Sequence, residues 1–258
     1  PHLVYFPPSR YTEAAARHVR DVEIRQTDRE HPYSALINEV IEKEHITRMG
    51  YEDEYMTAAD FRRFSEKLHC ELVPATELLW TLRAVKDQAE LDCMIQAQRI
   101  AEKALADILG EIRPGVTEKE IAALLLYKML HYGAEDKSFD PIVVSGPNGS
   151  LPHGVPSEKP IQAGEFVTMD FGCICHGYCS DMTRTVPVNG KFTPRQRAVY
   201  ESVLNMMTYA KKILKPGILK SEYERLVRVF AAGELVKLGL ITPAQVAEKP
   251  SDPPIVRK

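Results

Sequence analysis

Residues 164–188, GEFVTMDFGCICHGYCSDMTRTVPV, decide the fold. Apolar and polar residues alternate over two runs, Phe166 to Cys175 and Tyr178 to Val188, which His176-Gly177 joins. Period-two alternation on both sides of a two-residue turn signal predicts a β-hairpin. With the turn at 176 and 177, facing residues have a position sum of 353. The sum for Asp170 and Asp181 is two less, which predicts that both carboxylates lie on one face, one diagonal step apart.

Two carboxylates on one face of a hairpin need a counter-charge. At roughly 5–8 Å they repel by about 2–3 kcal/mol at an effective dielectric near 20. Arg184 is three positions from Asp181 and therefore points to the opposite face. A divalent cation such as magnesium or manganese suits all-oxygen ligation. The alternative is a solvated face, since Val167, Met169 and Phe171 occupy the other side of the strand.

Helical patterns surround the hairpin. The run from Asp87 to Ile112 has apolar residues at helical spacing and predicts a long amphipathic helix. It ends at Pro114-Gly115, and Thr117 with Glu120 then forms a capping-box signal for the next helix. RPGVTEKEI (113–121) resembles KPGILKSEY (215–223), which favours a duplicated α+β unit with helices on one face of an antiparallel sheet. The alternative is that Pro-Gly is simply a common helix stop.

The first 85 residues alternate short strand-like and longer helical patterns. This alternation predicts a small α/β layer with a mostly parallel sheet, so we place a domain boundary near residue 85, between domains 1–85 and 86–258. The predicted elements are a strand at His2 to Phe6, a helix at Pro32 to His45, an extended piece at Thr47 to Tyr51, a helix at Thr57 to Leu68 capped by Thr57, and a strand at Glu71 to Val73.

Composition excludes several classes of protein. The chain has 258 residues, 44% apolar and 27% charged, with a formal net charge of -3, as in ordinary soluble globular proteins. It has no apolar run long enough for a membrane span and no secretion signal at its start. The charge balance gives no reason to expect nucleic acid or an anionic membrane as partner. The five scattered cysteines contain no CxxC pair, which favours a reduced, cytoplasmic chain and disfavours a structural zinc site.

A second stretch of sequence contains a candidate functional side chain, His153. Pro152 and Pro156 flank it closely in LPHGVP (151–156) and stiffen the backbone. A rigid turn can aim an imidazole at a substrate. The alternative is a surface histidine without a role.

Together these strings resemble the pita-bread metallopeptidases, in the branch of aminopeptidase P and Xaa-Pro dipeptidase that also includes creatinase. SGPNGSLPHG (145–154) resembles the family's substrate-histidine loop, and MDFG (169–172) followed by SDMTRT (180–185) resembles its first two metal-ligand motifs. Arg83, Lys86 and Glu90 resemble the entry to its catalytic domain. The resemblance implies an α+β pita-bread catalytic domain, preceded by part of a small α/β domain.

The same resemblance implies a chemistry and a substrate. Asp170 would chelate one of two divalent metal ions, usually manganese, Asp181 would bridge both, and His153 would contact the substrate. The implied activity is that of an Xaa-Pro aminopeptidase, acting on peptides whose second residue is proline. An Xaa-Pro dipeptidase and a non-catalytic pita-bread binding module remain alternatives. Related enzymes are often dimers or tetramers, so a homo-oligomer is expected.

The chain departs from the family in its second half. The remaining family ligands are a His in a Gly-rich string and two Glu on later strands, but no histidine follows His176. Four glutamates, Glu201, Glu222, Glu224 and Glu234, fall in helical patterns, and Glu248 lies in a proline-bearing tail. Since the sequence also begins with Pro1, we expect a fragment truncated at both ends, with a catalytic domain incomplete at its C-terminus. Such a chain alone is expected to have little or no peptidase activity.

Overall fold

The computed structural model describes residues 3–247, which form two compact units divided between Asp87 and Gln88. Each unit has its own strands and helices. No helix within residues 3–247 is both long enough and apolar enough to cross a membrane.

The first unit contains two separate pairs of parallel strands. Its elements are β1 Val4–Tyr5, α1 Thr12–His18, β2 Glu23–Ile24, α2 Tyr33–Lys43, β3 Arg48–Tyr51, α3 Ala58–Lys67, β4 Glu71–Pro74 and α4 Thr76–Ala84. Strand β1 pairs with β2 and β3 pairs with β4, both in parallel, as predicted. The predicted strand at His2 to Phe6 is reduced to two residues before Pro7, and His2 lies outside the described residues.

Two helix pairs dominate the second unit. The helices are α5 Gln88–Ile108, α6 Glu118–His131, α7 Pro194–Ile213, α8 Lys220–Lys237 and α9 Pro243–Ala247. Helix α5 packs against α6, and α7 packs against α8. Gly115 and Gly217, in the two Pro-Gly connections, have φ of 95° and 83°, a conformation that favours glycine. Both Pro-Gly strings thus connect two helices, as predicted, and the duplication of a whole α+β unit stays a prediction.

Within residues 88–247, all strand pairs of the second unit are antiparallel. The strands are β5 Asp136–Lys137, β6 Ile142–Ser145, β7 Phe166–Phe171, β8 Cys173–Cys175, β9 Tyr178–Cys179 and β10 Met182–Pro187. They form two three-stranded sheets, in the orders β6-β7-β10 and β5-β8-β9. The predicted α+β arrangement is confirmed, with α6 against β6 and α5 against β8.

The hairpin has the predicted register but not the predicted continuity. Asp170 faces Thr183 and Cys175 faces Tyr178, and the turn residues His176 and Gly177 both have positive φ. Each predicted run nevertheless breaks into two strands, one at Gly172 and the other at 180–181. The two backbones approach closely at this break, since a Cβ added at Gly172 would lie 1.8 Å from the Ser180 carbonyl oxygen.

One face of β7 forms the core of this unit. Val167, Met169 and Phe171 are completely buried, as their alternation predicts. The thiol of Cys173, one strand further, donates to the Ala97 carbonyl of α5 at 3.2 Å. The alternate residues of β7, including Asp170, therefore belong to the side of the sheet that faces away from this core.

Candidate active site

Asp170 lies one residue before the end of β7 and is half-buried. Ile142 of β6 and Thr183 of β10 are its cross-strand partners, so the three side chains share one face. The Thr183 hydroxyl donates a hydrogen bond of 2.8 Å to Asp170 Oδ1. This bond fixes one carboxylate oxygen and leaves the other available to a ligand.

We call this side of the sheet the Asp170 face. Its members, set by strand register, are Ile142, Val144, Thr168, Asp170, Thr183 and Thr185. The hydroxyl oxygens of Thr168 and Thr185 lie 3.0 Å apart, in hydrogen-bond contact. The face thus carries a row of oxygen-bearing side chains next to the carboxylate.

Asp181 lies just outside the ladder. The last pair of β7 and β10 is Phe171 with Met182, and Asp181 is the exposed residue immediately before it. Continued by one step, the register would set Asp181 opposite Gly172 and diagonal to Asp170, but the ladder ends at Met182, so the diagonal relation of the two carboxylates stays a prediction. Asp181 borders a cleft of about 470 Å³ against α5, whose lining includes no member of the Asp170 face. That both carboxylates hold a common metal pair stays a prediction.

Arg184 does not neutralise this pair of carboxylates. It faces Met169, on the opposite side of the strand from the Asp170 face, as predicted. Its charge acts instead on Glu102 of α5, whose pKa is lowered chiefly by a hydrogen bond from Arg99, with Arg184 adding to the effect. Arg184 therefore supplies no counter-charge on the Asp170 face, which leaves a bound cation and solvent as the two ways to offset the charges of Asp170 and Asp181.

The His153 loop lies against the Asp170 face. A Cβ added at the neighbouring Gly154 would lie 2.6 Å from Cγ1 of Val144, a member of that face. His153 itself is exposed and borders a cleft of about 600 Å³ that also includes Ile142, the cross-strand partner of Asp170. The structure thus brings the predicted histidine loop and the first predicted metal ligand to one side of one sheet.

The donors are of the right type for a hard divalent ion but do not complete its coordination. Carboxylate oxygens suit magnesium or manganese, which take about six oxygen-rich ligands. Within residues 3–247, no group of three or more His, Cys, Asp or Glu side chains is arranged to hold a metal ion. Glu201 lies in α7 and Glu222, Glu224 and Glu234 lie in α8, as their patterns predicted. Glu248 lies outside the described residues.

Two residues of this region were not singled out by the sequence. Thr183 follows from the register, because it is the position opposite Asp170. Glu118, the first residue of α6, is fully buried although it is charged. Burial is the largest single effect on the pKa of the Glu118 carboxyl, and by itself it would raise that pKa. Hydrogen bonds from Ser157, Ser145 and Asn148 together outweigh it, so the pKa is lowered.

The lowered pKa of Glu118 predicts an acid-sensitive contribution to stability. A carboxylate with a depressed folded pKa stabilises above its unfolded pKa, here 4.5, and loses that contribution as pH falls through the folded value. Glu118→Gln leaves buried donors unpaired, which is expected to cost about 3 kcal/mol near pH 7. In urea unfolding, the difference in the free energy of unfolding between wild type and Glu118→Gln should shrink below about pH 4.5.

The matched control for this measurement is Glu120→Gln, in the same helical turn. Glu120 is exposed and caps the helix by accepting from the Thr117 amide, which a glutamine oxygen can also do. We expect a small change in the free energy of unfolding for this variant. A Glu118→Gln deficit that stays constant down to about pH 3 would contradict the assigned pKa shift.

Comparison with known families adds to this geometry. The sequence model of metallopeptidase family M24 matches residues 92–245, the range that contains His153, Asp170 and Asp181. The chain belongs to family M24. Residues 1–85 match a second model, described as the creatinase/prolidase N-terminal domain.

Relatives of this M24 chain include named Xaa-Pro peptidases and solved structures. It is 37% identical over 222 residues to an uncharacterized peptidase of Bacillus subtilis, covering 85% of this chain and 62% of the relative. It is 37% identical over 166 residues to the Xaa-Pro dipeptidase of Pyrococcus furiosus, covering 64% of this chain and 47% of the relative. The crystal structure of X-Pro aminopeptidase from Thermotoga maritima superimposes with a TM-score of 0.82 at 32% identity, covering 92% of this chain and 65% of that one.

These matches confirm the pita-bread fold expected from the motifs and the family assignment itself. The M24 chain spans 62% of the length of the Bacillus subtilis relative and 47% of the length of the Pyrococcus furiosus relative.

Proposed function

We propose that the protein containing this chain is a divalent-metal-dependent Xaa-Pro aminopeptidase. Such an enzyme releases the N-terminal residue from peptides that have proline in the second position. The observation that carries the proposal is the position of the His153 loop on the same face of the sheet as Asp170. Family membership and the two named Xaa-Pro peptidases among its relatives support the same class of substrate.

In this proposal Asp170 and Asp181 hold two divalent ions, with manganese as the expected metal. Bound ions of this kind polarise a peptide carbonyl and lower the pKa of bound water. Thr183 orients the Asp170 carboxylate through its 2.8 Å hydrogen bond. The further donors that such ions require are not among the groups that residues 3–247 bring together.

His153 is proposed to contact the substrate peptide. It borders the cleft together with the apolar residues Leu126, Pro141, Ile142 and Val155. An apolar wall beside a hydrogen-bonding imidazole suits a prolyl peptide, whose ring is apolar and whose nitrogen donates no hydrogen bond. The peptide carbonyl would then lie between His153 and the Asp170 face.

An Xaa-Pro dipeptidase is the second candidate, because one of the relatives bears that name. The two activities differ in peptide length. The protein expressed from its complete reading frame, supplied with Mn²⁺, should therefore be offered Xaa-Pro and Xaa-Pro-Yaa peptides. An aminopeptidase cleaves the longer peptides, whereas a dipeptidase is restricted to the dipeptide.

Matched Xaa-Ala-Yaa peptides test the specificity for proline in the same assay. We expect cleavage of the proline peptides and at most weak cleavage of the alanine peptides. Absence of any cleavage by the metal-loaded protein would reject the enzyme and favour a non-catalytic binding module. Restriction to dipeptides would reject the aminopeptidase in favour of the dipeptidase.

A further inference from the structure

The buried carboxylate of Glu118 receives hydrogen bonds from three residues outside its own helix. Oε1 accepts from the amide and hydroxyl of Ser145 at 2.6 and 2.9 Å. Oε2 accepts from the amide and hydroxyl of Ser157 at 3.2 and 2.7 Å. The Asn148 side-chain amide donates to both oxygens, at 3.1 and 3.2 Å. All these partners are donors, so a carboxylate suits the position and a group that must donate does not.

These partners bracket the segment that carries His153. Ser145 is the last residue of β6, and Ser157 lies four residues after His153. Asn148 lies in the intervening 3-10 turn, Gly146–Ser150. The Glu118 side chain therefore contacts both ends and one internal point of the loop at 145–157, and the Lys119 amide also donates to the Ser157 carbonyl at 3.1 Å. Since the loop rests on Val144 of the Asp170 face through Gly154, the residue after His153, the anchoring of its ends also fixes the backbone that carries this histidine.

The Glu118 side chain does not cap the N-terminus of its own helix. Thr117 and Glu120 form the complete capping box of α6, with the Thr117 hydroxyl accepting from the Glu120 amide and the Glu120 carboxylate accepting from the Thr117 amide. The Glu118 carboxylate instead accepts hydrogen bonds from the loop at 145–157. The Lys159 ammonium donates to the Ser145 hydroxyl at 2.8 Å, and that hydroxyl donates to Glu118, but the ammonium is itself paired directly with Glu165 at 2.8 Å.

We propose that Glu118 is a positioning residue for His153: it fixes the 145–157 loop on the Asp170 face and so sets the approach of the imidazole to substrate. This inference rests on the proposed function for its catalytic consequence, but the effect on the loop and on the imidazole can be measured without turnover. Glu118 touches neither substrate nor metal in this account. Its loss should therefore lower kcat more than it changes KM.

The test compares Glu118→Gln with Glu120→Gln in the protein expressed from its complete reading frame. Histidines labelled with ¹³C report the His153 ring signal, assigned by its loss in His153→Asn. We expect that signal to shift in Glu118→Gln and to stay in place in Glu120→Gln. Amide hydrogen exchange in peptides covering 145–157 should be about tenfold faster, while peptides covering 166–171 keep the wild-type rate. With Xaa-Pro-Yaa peptides, kcat should fall about 10- to 100-fold with KM changed less than about threefold.

A milder variant, Ser157→Ala, keeps the test decisive if Glu118→Gln does not fold. Ser157→Ala removes one hydroxyl contact and keeps those from Ser145 and Asn148, and it should shift the His153 signal in the same direction by a smaller amount. An unchanged His153 signal in a folded Glu118→Gln protein, or in Ser157→Ala where Glu118→Gln does not fold, would overturn the proposal and leave Glu118 a structural residue. If the wild type cleaves no Xaa-Pro peptide, the proposed function fails. The ring signal and exchange rates still decide whether Glu118 positions His153.

Discussion

Alanine at position 172 is expected to destabilise the second unit by about 3 kcal/mol. The added Cβ would lie 1.8 Å from the Ser180 carbonyl oxygen and 2.5 Å from the Ser138 hydroxyl oxygen. A backbone oxygen cannot rotate away as a flexible side chain can, so the hairpin must open at this point. Urea unfolding of Gly172→Ala against wild type measures the effect. The change falls between Asp170 and Asp181, so metal binding should weaken as well.

Gly149→Ala is the matched control. Apart from its chain neighbours, no atom lies within 4 Å of a Cβ added there, and Gly149 is not among the residues with positive φ. We expect its free energy of unfolding to remain within about 0.5 kcal/mol of wild type. Equal stabilities for Gly172→Ala and Gly149→Ala would mean that the hairpin does not close against Ser180 as described.

Loss of either aspartate should have the largest effect on catalysis. Asp170→Asn and Asp181→Asn keep the volume of the side chain but remove the charge that a hard divalent cation requires. The Thr183 hydroxyl can still donate to an asparagine oxygen at position 170, so the local fold should persist. Each variant is expected to lose about 1000-fold in kcat/KM toward an Xaa-Pro-Yaa peptide, equivalent to about 4 kcal/mol.

Asp136→Asn is the control for this pair. Asp136 lies on a strand, as Asp170 does, and is exposed, as Asp181 is, but it belongs to β5 in the other sheet and faces Ile174. We expect its turnover to remain within about twofold of wild type. Asp181→Asn with the same turnover as Asp136→Asn would remove Asp181 from the proposed metal site.

The register of the hairpin could be predicted because it depends on local information. A two-residue turn at His176-Gly177 and a period of two determine which residues face each other, and Asp170 accordingly pairs opposite Thr183. The break at Gly172 could not be predicted. It coincides with the approach of the Ser180 backbone, a tertiary contact that leaves no mark on the alternation of apolar and polar residues.

The positions of the His153 loop and of Glu118 likewise depend on tertiary contacts, which the local sequence pattern does not reveal. The sequence indicated a stiff turn around His153, but only the contact of Gly154 with Val144 assigns that turn to the Asp170 face. Glu118 looks like an ordinary charged residue in the first turn of a helix. Its burial is favourable only because Ser145, Asn148 and Ser157 converge on it from a segment distant in sequence. The short elements α1 and β2 likewise have too few residues for a periodic signal.

Manganese binding tests the central claim, that Asp170 and Asp181 hold the metal ions of a peptidase. Free Mn²⁺ can be followed by electron paramagnetic resonance during titration of the protein expressed from its complete reading frame. The wild type and the Asp170→Asn, Asp181→Asn double variant are compared, with circular dichroism to verify folding. We predict two bound ions in the wild type and none at the same Mn²⁺ concentrations in the folded double variant. Equal binding by the two proteins would contradict the account.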